Sequence, residues 1–344
     1  MGETADRFIE HALSGRLEAA RHMLSTDPRL PETDIYAAAV YGDAETISQH
    51  SDMAATPGGP RDWPPLLYLC YSDFQRFDPA RREGFLRAAS ILLDGGADPD
   101  LYFLSGDDPE SRQTALFGAC GRADNPALTR LLLGAGADPN EGVTALGSEA
   151  LYHAAELPTS GCLKAILSAR PDPDRVSYCL ARKLDFEDPA GVQLFLSHGA
   201  DPNFVTPFGD RMTRLHHAVQ RGRSVEIIRM LLDAGADMTA CTASGKTALA
   251  LAIRYGRAEV AELLRSKGAG ESKLSAIDRL VGACAMGDGT AAAAIRAADP
   301  GLQASIGAGE NTVFAVIAAE NRAAALPLFL ASGFPIGACG DMGP

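Results

Sequence analysis

The apolar residues of this chain fall on a helical period. In "SVEIIRMLLDAG", Ser224 to Gly235, the residues Val225, Ile228, Leu231 and Leu232 make one stripe, with Glu226, Arg229 and Asp233 off it. The helix this predicts ends in a phrase the chain writes repeatedly: "ILLDGGADPD" (Ile91–Asp100), "LLLGAGADPN" (Leu131–Asn140), "LFLSHGADPN" (Leu194–Asn203) and "MLLDAGADMT" (Met230–Thr239). Its glycine can take the left-handed conformation that closes a helix, and the Asp-Pro-Asn that follows opens a turn with a fixed proline φ. The phrase is therefore read as a helix stop plus a loop, without chemistry of its own.

The aspartates of the phrase, Asp98, Asp138, Asp172, Asp201 and Asp237, follow one another at 40, 34, 29 and 36 residues. A helix-turn-helix unit recurring near 33 residues implies an array in which each unit packs on its neighbours. The clearest unit is "TRLHHAVQRGRSVEIIRMLLDAGAD", Thr213 to Asp237. It resembles an ankyrin repeat: Thr213, Leu215, His216, Ala218 and Gly222 match the first-helix signature, and Leu231, Leu232, Gly235, Ala236 and Asp237 match the second. "KTALALAIRYGRAEVAELLRSKGA" and the unit opening at Thr114 match as well. The resemblance implies an all-α helix-turn-helix repeat solenoid of about ten units. Their first helices lie near Phe8, Ile35, Leu66, Leu116, Leu151, Leu180, Leu215, Leu249, Leu280 and Phe314. We expect one array over 1–344, with divergent capping units at 1–62 and 271–344 and the candidate groove in 63–270. "YSDFQRFDPARREGF" interrupts the third unit, and "LYFLSGDDPESRQ", "EGVTALGS" and "FVTPFGDRM" are expected as long fingers between units.

Composition narrows the partners. Apolar residues are 46% and aromatic ones only 6%, which suits closely packed helices built on Ala and Leu. The formal net charge of -13 repels nucleic acid and anionic membranes, so neither is expected as a partner. "MGETADRFIEHALSGRLEAARHML" has charges throughout and no apolar core, so it does not read as a secretory signal, and Asp6 stands where a myristoylation signal requires Ser or Thr. No apolar run reaches membrane-spanning length. The seven cysteines (Cys70, Cys120, Cys162, Cys179, Cys241, Cys284 and Cys339) are scattered and form no C-x-x-C pair. Thiols in a reducing cytoplasm are expected.

Candidate function comes from positions that depart from the repeat. In the first helix, L-H-x-A-A-x-x-G, the resemblance makes the first x small or apolar. Here units three to seven carry Tyr68, Gly118, His153, Arg182 and His217. The two x positions after the alanine pair face the concave groove in ankyrin repeats. They hold Tyr71, Arg122, Glu156, Asp185 and Arg221 among others. Stacked units would line these residues along one strip, with Trp63 just before it. Within the strip Glu156 can pair with Arg182 and Asp185 with Arg221 across adjacent units, which would make it an ion-paired, solvated groove that holds the helices in register, and His153 with Glu156 is an i, i+3 pair.

The resemblance implies a non-catalytic module that binds a protein, a basic one being electrostatically easiest. The arginines leave room for a small anionic ligand. The alternative is a small-molecule or enzymatic site in which a histidine acts as general base beside arginine anion clamps. No cofactor is implied. His216 and His217 are adjacent on a helix and point apart, so a metal site is not expected. Phosphate-binding loops, dinucleotide fingerprints and nucleophile elbows are absent.

Overall fold

The structure, a computed structural model, describes residues 2–105, 112–141, 149–206, 209–306, 311–320 and 322–334. Three of the expected fingers therefore fall partly outside it, at 106–111, 142–148 and 207–208, as do Cys339 and the last ten residues. The chain forms two compact units, Met1–Lys183 with Leu194–Ala200, and Leu184–Gln193 with Asp201–Pro344.

The helices of the first unit are α1 (Gly2–Leu13), α2 (Leu17–Thr26), α3 (Ile35–Tyr41), α4 (Ala44–Gln49), α5 (Pro65–Tyr71), α6 (Asp73–Phe77), α7 (Arg82–Asp94), α8 (Ala115–Phe117), α9 (Pro126–Gly134), α10 (Glu149–Glu156), α11 (Gly161–Ser168) and most of α12 (Pro173–Asp185). They stack in two layers. The first helices pack α1 on α3, α3 on α5, and α5 on α8 with the turn after it, which meets α10; the second helices pack α4 on α7, α7 on α9 and α9 on α11. A hairpin of β1 (Tyr102–Leu104) and β2 (Arg112–Thr114) occupies the expected finger before Thr114.

The helix α13 (Pro189–Ser197) spans both units. The second unit then holds α14 (Arg214–Gln220), α15 (Val225–Asp233), α16 (Ala248–Arg254), α17 (Ala258–Ser266), α18 (Ala276–Ala285), α19 (Gly289–Ala298), α20 (Asn311–Ala319) and α21 (Leu326–Ala331). Again first helices pack on first helices, α14 on α16 and α16 on α18, and α15 packs on α17. The architecture is all-α and ankyrin-type.

Local chemistry explains the boundaries. Asp34, Asp43, Asn125, Thr213, Ser224, Thr247 and Ser275 each cap a helix by accepting backbone N–H groups of its first turn. Thr213 and His216 form a reciprocal capping box, which gives the signature histidine a structural role. The glycines of the repeated phrase end their helices as expected, with φ of 105° at Gly136 and 92° at Gly235. Within the phrase Asp138 Oδ1 accepts the N–H of Asn140, and Asp237 Oδ1 that of Thr239. These are side-chain turns that fix the loop.

Two first helices differ from the repeat register. Leu180 sits inside α12 rather than near its start, because Pro173 begins that helix early and no glycine interrupts it. In the fourth unit α8 passes into a single wide turn, Gly118–Arg122. A Cβ at Gly118 would lie 2.7 Å from the Tyr71 ring, and one at Gly121 2.5 Å from the Phe117 ring. The glycines let aromatic rings take the room a regular helix face would fill. The core is the expected Ala-Leu one, with Ala37, Ala38, Leu66, Ala119, Leu132 and Ala154 fully buried.

Candidate functional site

In the first unit the strip residues are joined by rings. Trp63 stacks on Phe103 of β1 with centroids 4.2 Å apart, and Tyr71 meets Phe103 at 5.0 Å and Phe117 at 6.1 Å. Phe117 in turn meets His153 at 4.9 Å, and Tyr152 stacks on Tyr178 at 6.4 Å. Edge and offset geometries of this kind are the favourable ones for aromatic pairs. Trp63, Tyr68 and Tyr71 are buried at 8%, 0% and 4% exposure, so they back the strip rather than line its surface. The Tyr68 hydroxyl donates to Gly58 O and accepts from Arg61 N, and the Tyr71 hydroxyl donates to Thr114 O.

Three guanidinium groups lie over these rings, and each also faces a carboxylate. Arg61 covers Trp63 at 4.9 Å and binds Glu10 through two contacts of 2.8 and 2.9 Å. Arg122 covers Tyr71 at 5.7 Å and reaches Asp73 at 3.5 Å. Arg182 covers Tyr152 at 4.8 Å and reaches Glu156 at 3.7 Å, while His153 Nδ1 lies 2.9 Å from the same carboxylate. Stacking on a ring holds a guanidinium flat while its edge donors face the neighbouring carboxylate. His153 and Glu156 are each about a third exposed and Arg122 somewhat more, so this stretch is open to solvent.

In the second unit Asp185 gathers the remaining strip residues. His217 Nε2 and Arg221 Nε each lie 3.0 Å from Asp185 Oδ1. Burial lowers the pKa of His217, with the Asp185 carboxylate acting in the opposite sense. The pairings anticipated between Glu156 and Arg182 and between Asp185 and Arg221 are both present. Each forms within its own unit.

Sequence reasoning passed over Asp73, Phe103, Phe117 and Tyr152, which hold the strip together. Asp73 lies in the expected insertion, which folds as α6. Its carboxylate also accepts the N–H of Gly15 at 2.7 Å. Tyr152 precedes His153, and an aromatic beside a strip position was the available signal.

Two open clefts lie elsewhere. One of about 860 Å³ is lined by Tyr41, Asp43, Glu45, Asp78, Arg81 and Glu83 among others, and one of about 380 Å³ by Gly222–Val225 and Gly256–Val260. Among the described residues no group of three or more His, Cys, Asp or Glu side chains is placed to hold a metal ion. No helix among them is long and apolar enough to cross a membrane.

The sequence comparisons with known proteins agree with the repeat reading. The family model "Ankyrin repeats (3 copies)" matches residues 180–274. The Ankyrin repeat and SOCS box protein 6 of Homo sapiens is 33% identical over 169 residues, covering 48% of this chain and 32% of that protein. The Pongo abelii protein of the same name matches to the same extent. This chain thus spans about a third of the length of these curated relatives. Two solved structures are similar. The ankyrin repeat domain of Bcl-3 is 30% identical with TM-score 0.48, over 56% of this chain and 85% of that one. The human ASB11 ankyrin repeat domain is 20% identical with TM-score 0.49, over 69% and 98%. The repeated phrase, the capped helix pairs, their two-layer stacking and the matched family model together make this chain an ankyrin repeat protein.

Proposed function

We propose that the protein is a non-catalytic interaction module that holds a partner protein on the polar and aromatic face of its first unit. Ankyrin repeats are in general protein–protein interaction modules. The observation that carries the reading is Arg182, a part-exposed guanidinium laid over Tyr152 beside Glu156 on the same face as Arg122 and His153. Arginine and tyrosine are favoured anchor types at interfaces, and a stacked guanidinium loses little freedom when it binds. Arg122 over Tyr71, and His153 against Phe117, extend the same face. Asp185, His217 and Arg221 form a separate contact patch in the second unit. The net charge of -13 favours approach by a basic partner. The six described cysteines are thiols rather than disulfides, which fits a reducing cytoplasm.

Affinity capture with the full chain tests this. A partner held by the wild type should be reduced about tenfold or more by Arg182→Ala and by Arg122→Ala, as loss of an interface anchor requires. It should be retained by Arg130→Ala, a change at an exposed residue of a second helix. If the partner is retained by all three variants, the face is not the binding surface. If Arg182→Ala unfolds the chain, the strip is structural.

A further inference from the structure

Cys241 and Lys273 are an apposed pair of nucleophiles outside the strip. Lys273 Nζ lies 3.0 Å from Cys241 Sγ, across the loops of two successive repeats. Both residues are exposed. Both loops are fixed. Thr239, two residues before Cys241, is held by Asp237, and Thr242 N–H donates to Lys246 O. Leu274 N–H donates to Glu271 O, and Glu271 is paired with Arg265 at 2.8 Å. The pair therefore meets without rearrangement and faces solvent.

No other described cysteine offers this. Cys70, Cys120, Cys162, Cys179 and Cys284 are buried, and burial pushes the Cys162 thiol up to about 12. Among the described cysteines, reagents that enter from solvent reach Cys241 first.

We infer that Cys241 and Lys273 form an acylation relay, in which the sulfur captures an acyl group from a soluble acyl thioester and passes it to the lysine. In the first step the Cys241 thiolate attacks the thioester carbonyl. A new carbon–sulfur bond forms, the bond to the donor thiol breaks, and the released thiolate takes a proton from water. In the second step Lys273 Nζ, having given a proton to water, attacks the acyl carbon carried by Sγ, the atom that lies 3.0 Å from Nζ. The amide bond forms, the bond to Sγ breaks, and Sγ regains a proton. The net change is a thioester and a lysine ammonium becoming an amide, a free thiol and a proton. Sulfur exchanges acyl groups with thioesters more readily than an ammonium does, and the second step is intramolecular, which gives Lys273 its advantage over other lysines. Acylation removes one positive charge from an already acidic surface.

Incubating the full chain with acetyl-CoA and mapping peptides by mass spectrometry tests this. Lys273 should be acetylated about tenfold faster than Lys267, which is also exposed, because its acyl donor is held within the same molecule. Cys241→Ser should bring Lys273 down to the Lys267 rate. Lys273→Arg should leave an acetyl group on Cys241 that hydroxylamine removes. Equal rates at Lys273 and Lys267 in the wild type, or a Lys273 rate unchanged by Cys241→Ser, would overturn the relay, as would Lys273→Arg protein carrying no hydroxylamine-labile acetyl on Cys241.

Discussion

Asp100 Oδ1 accepts the backbone N–H of Asp138, the aspartate of the next repeat, at 2.7 Å. Asn140 makes the same contact with Asp172 at 2.8 Å, and Asn203 with Asp237 at 2.7 Å. In three of the four copies the last residue of the repeated phrase is thus an inter-repeat clasp, and the phrase does more than stop a helix and open a turn. Where the clasp is an asparagine the acceptor is neutral. Asp100 is charged, and burial, together with Asp98, Asp138 and Glu141 nearby, raises its pKa, against the pull of the Asp138 N–H.

A carboxyl whose folded pKa is raised contributes less stability once it ionises, so that contribution is lost as pH rises through the folded value. Asp100→Asn keeps the acceptor and removes the charge. It should stabilise the protein at pH 7 by about 0.5 kcal/mol, the scale of a surface change. The gain over wild type should shrink towards pH 4. Thermal melts at the two pH values decide it, and a lower melting temperature at pH 7 would contradict the account.

Leu231 is fully buried in α15, and Leu232 beside it is only half-buried. Leu231→Ala should therefore cost about 2–5 kcal/mol and Leu232→Ala clearly less. Denaturant unfolding with unchanged slope is the measurement. Equal costs at the two sites would place α15 in a different rotation.

Asp278 is fully buried. Lys246 Nζ and Arg254 Nη1 each lie 2.7 Å from its Oδ1, and its second oxygen accepts from Ser275. Burial alone would raise its pKa, but the hydrogen bonds from Lys246, Ser275 and Arg254 outweigh it and hold the carboxyl below its ordinary value. With a depressed folded pKa, its contribution is present above the unfolded value of about 4 and is lost as pH falls further. Asp278→Ala removes the carboxylate that Lys246 and the buried Arg254 share and should cost about 3–5 kcal/mol at pH 7. The difference from wild type should narrow below pH 4, as read by equilibrium unfolding in acid.

His217 and His216 both have lowered pKa values, with burial the main cause in each. A histidine kept neutral by the fold costs stability when pH drops below its unfolded value near 6.5. The protein should therefore melt at a lower temperature at pH 5.5 than at pH 7.5. His217→Gln should flatten that slope. If the variant keeps the full pH dependence, His217 is not its source.

The helix pairs were legible because their causes are local. Val225, Ile228 and Leu231 set a stripe, Thr213 and Ser224 cap, and Gly235 stops. Glu156 with Arg182, and Asp185 with Arg221, were legible because equivalent positions of neighbouring repeats come together. What register does not encode stayed hidden. Asp73 meets Arg122 from 49 residues away and from inside an insertion. Phe103 reaches Trp63 only because a finger folds into a hairpin, which puts Phe103 on the ring side while Tyr102 and Leu104 stay exposed. Tyr68 was expected on the strip and is fully buried, since its hydroxyl is taken by the Gly58–Arg61 turn.

The stacking of Trp63 on Phe103 also makes the molecule self-reporting. Trp63 is the only tryptophan, so the whole indole emission of the protein comes from one ring lying between a helix entry and a hairpin. Excitation of that ring reads a single place without any label. Lifting the hairpin off the ring would let water reach it and shift the emission to longer wavelength. Ordinary fluorimetry can therefore follow the first unit alone, while the second contributes no indole signal.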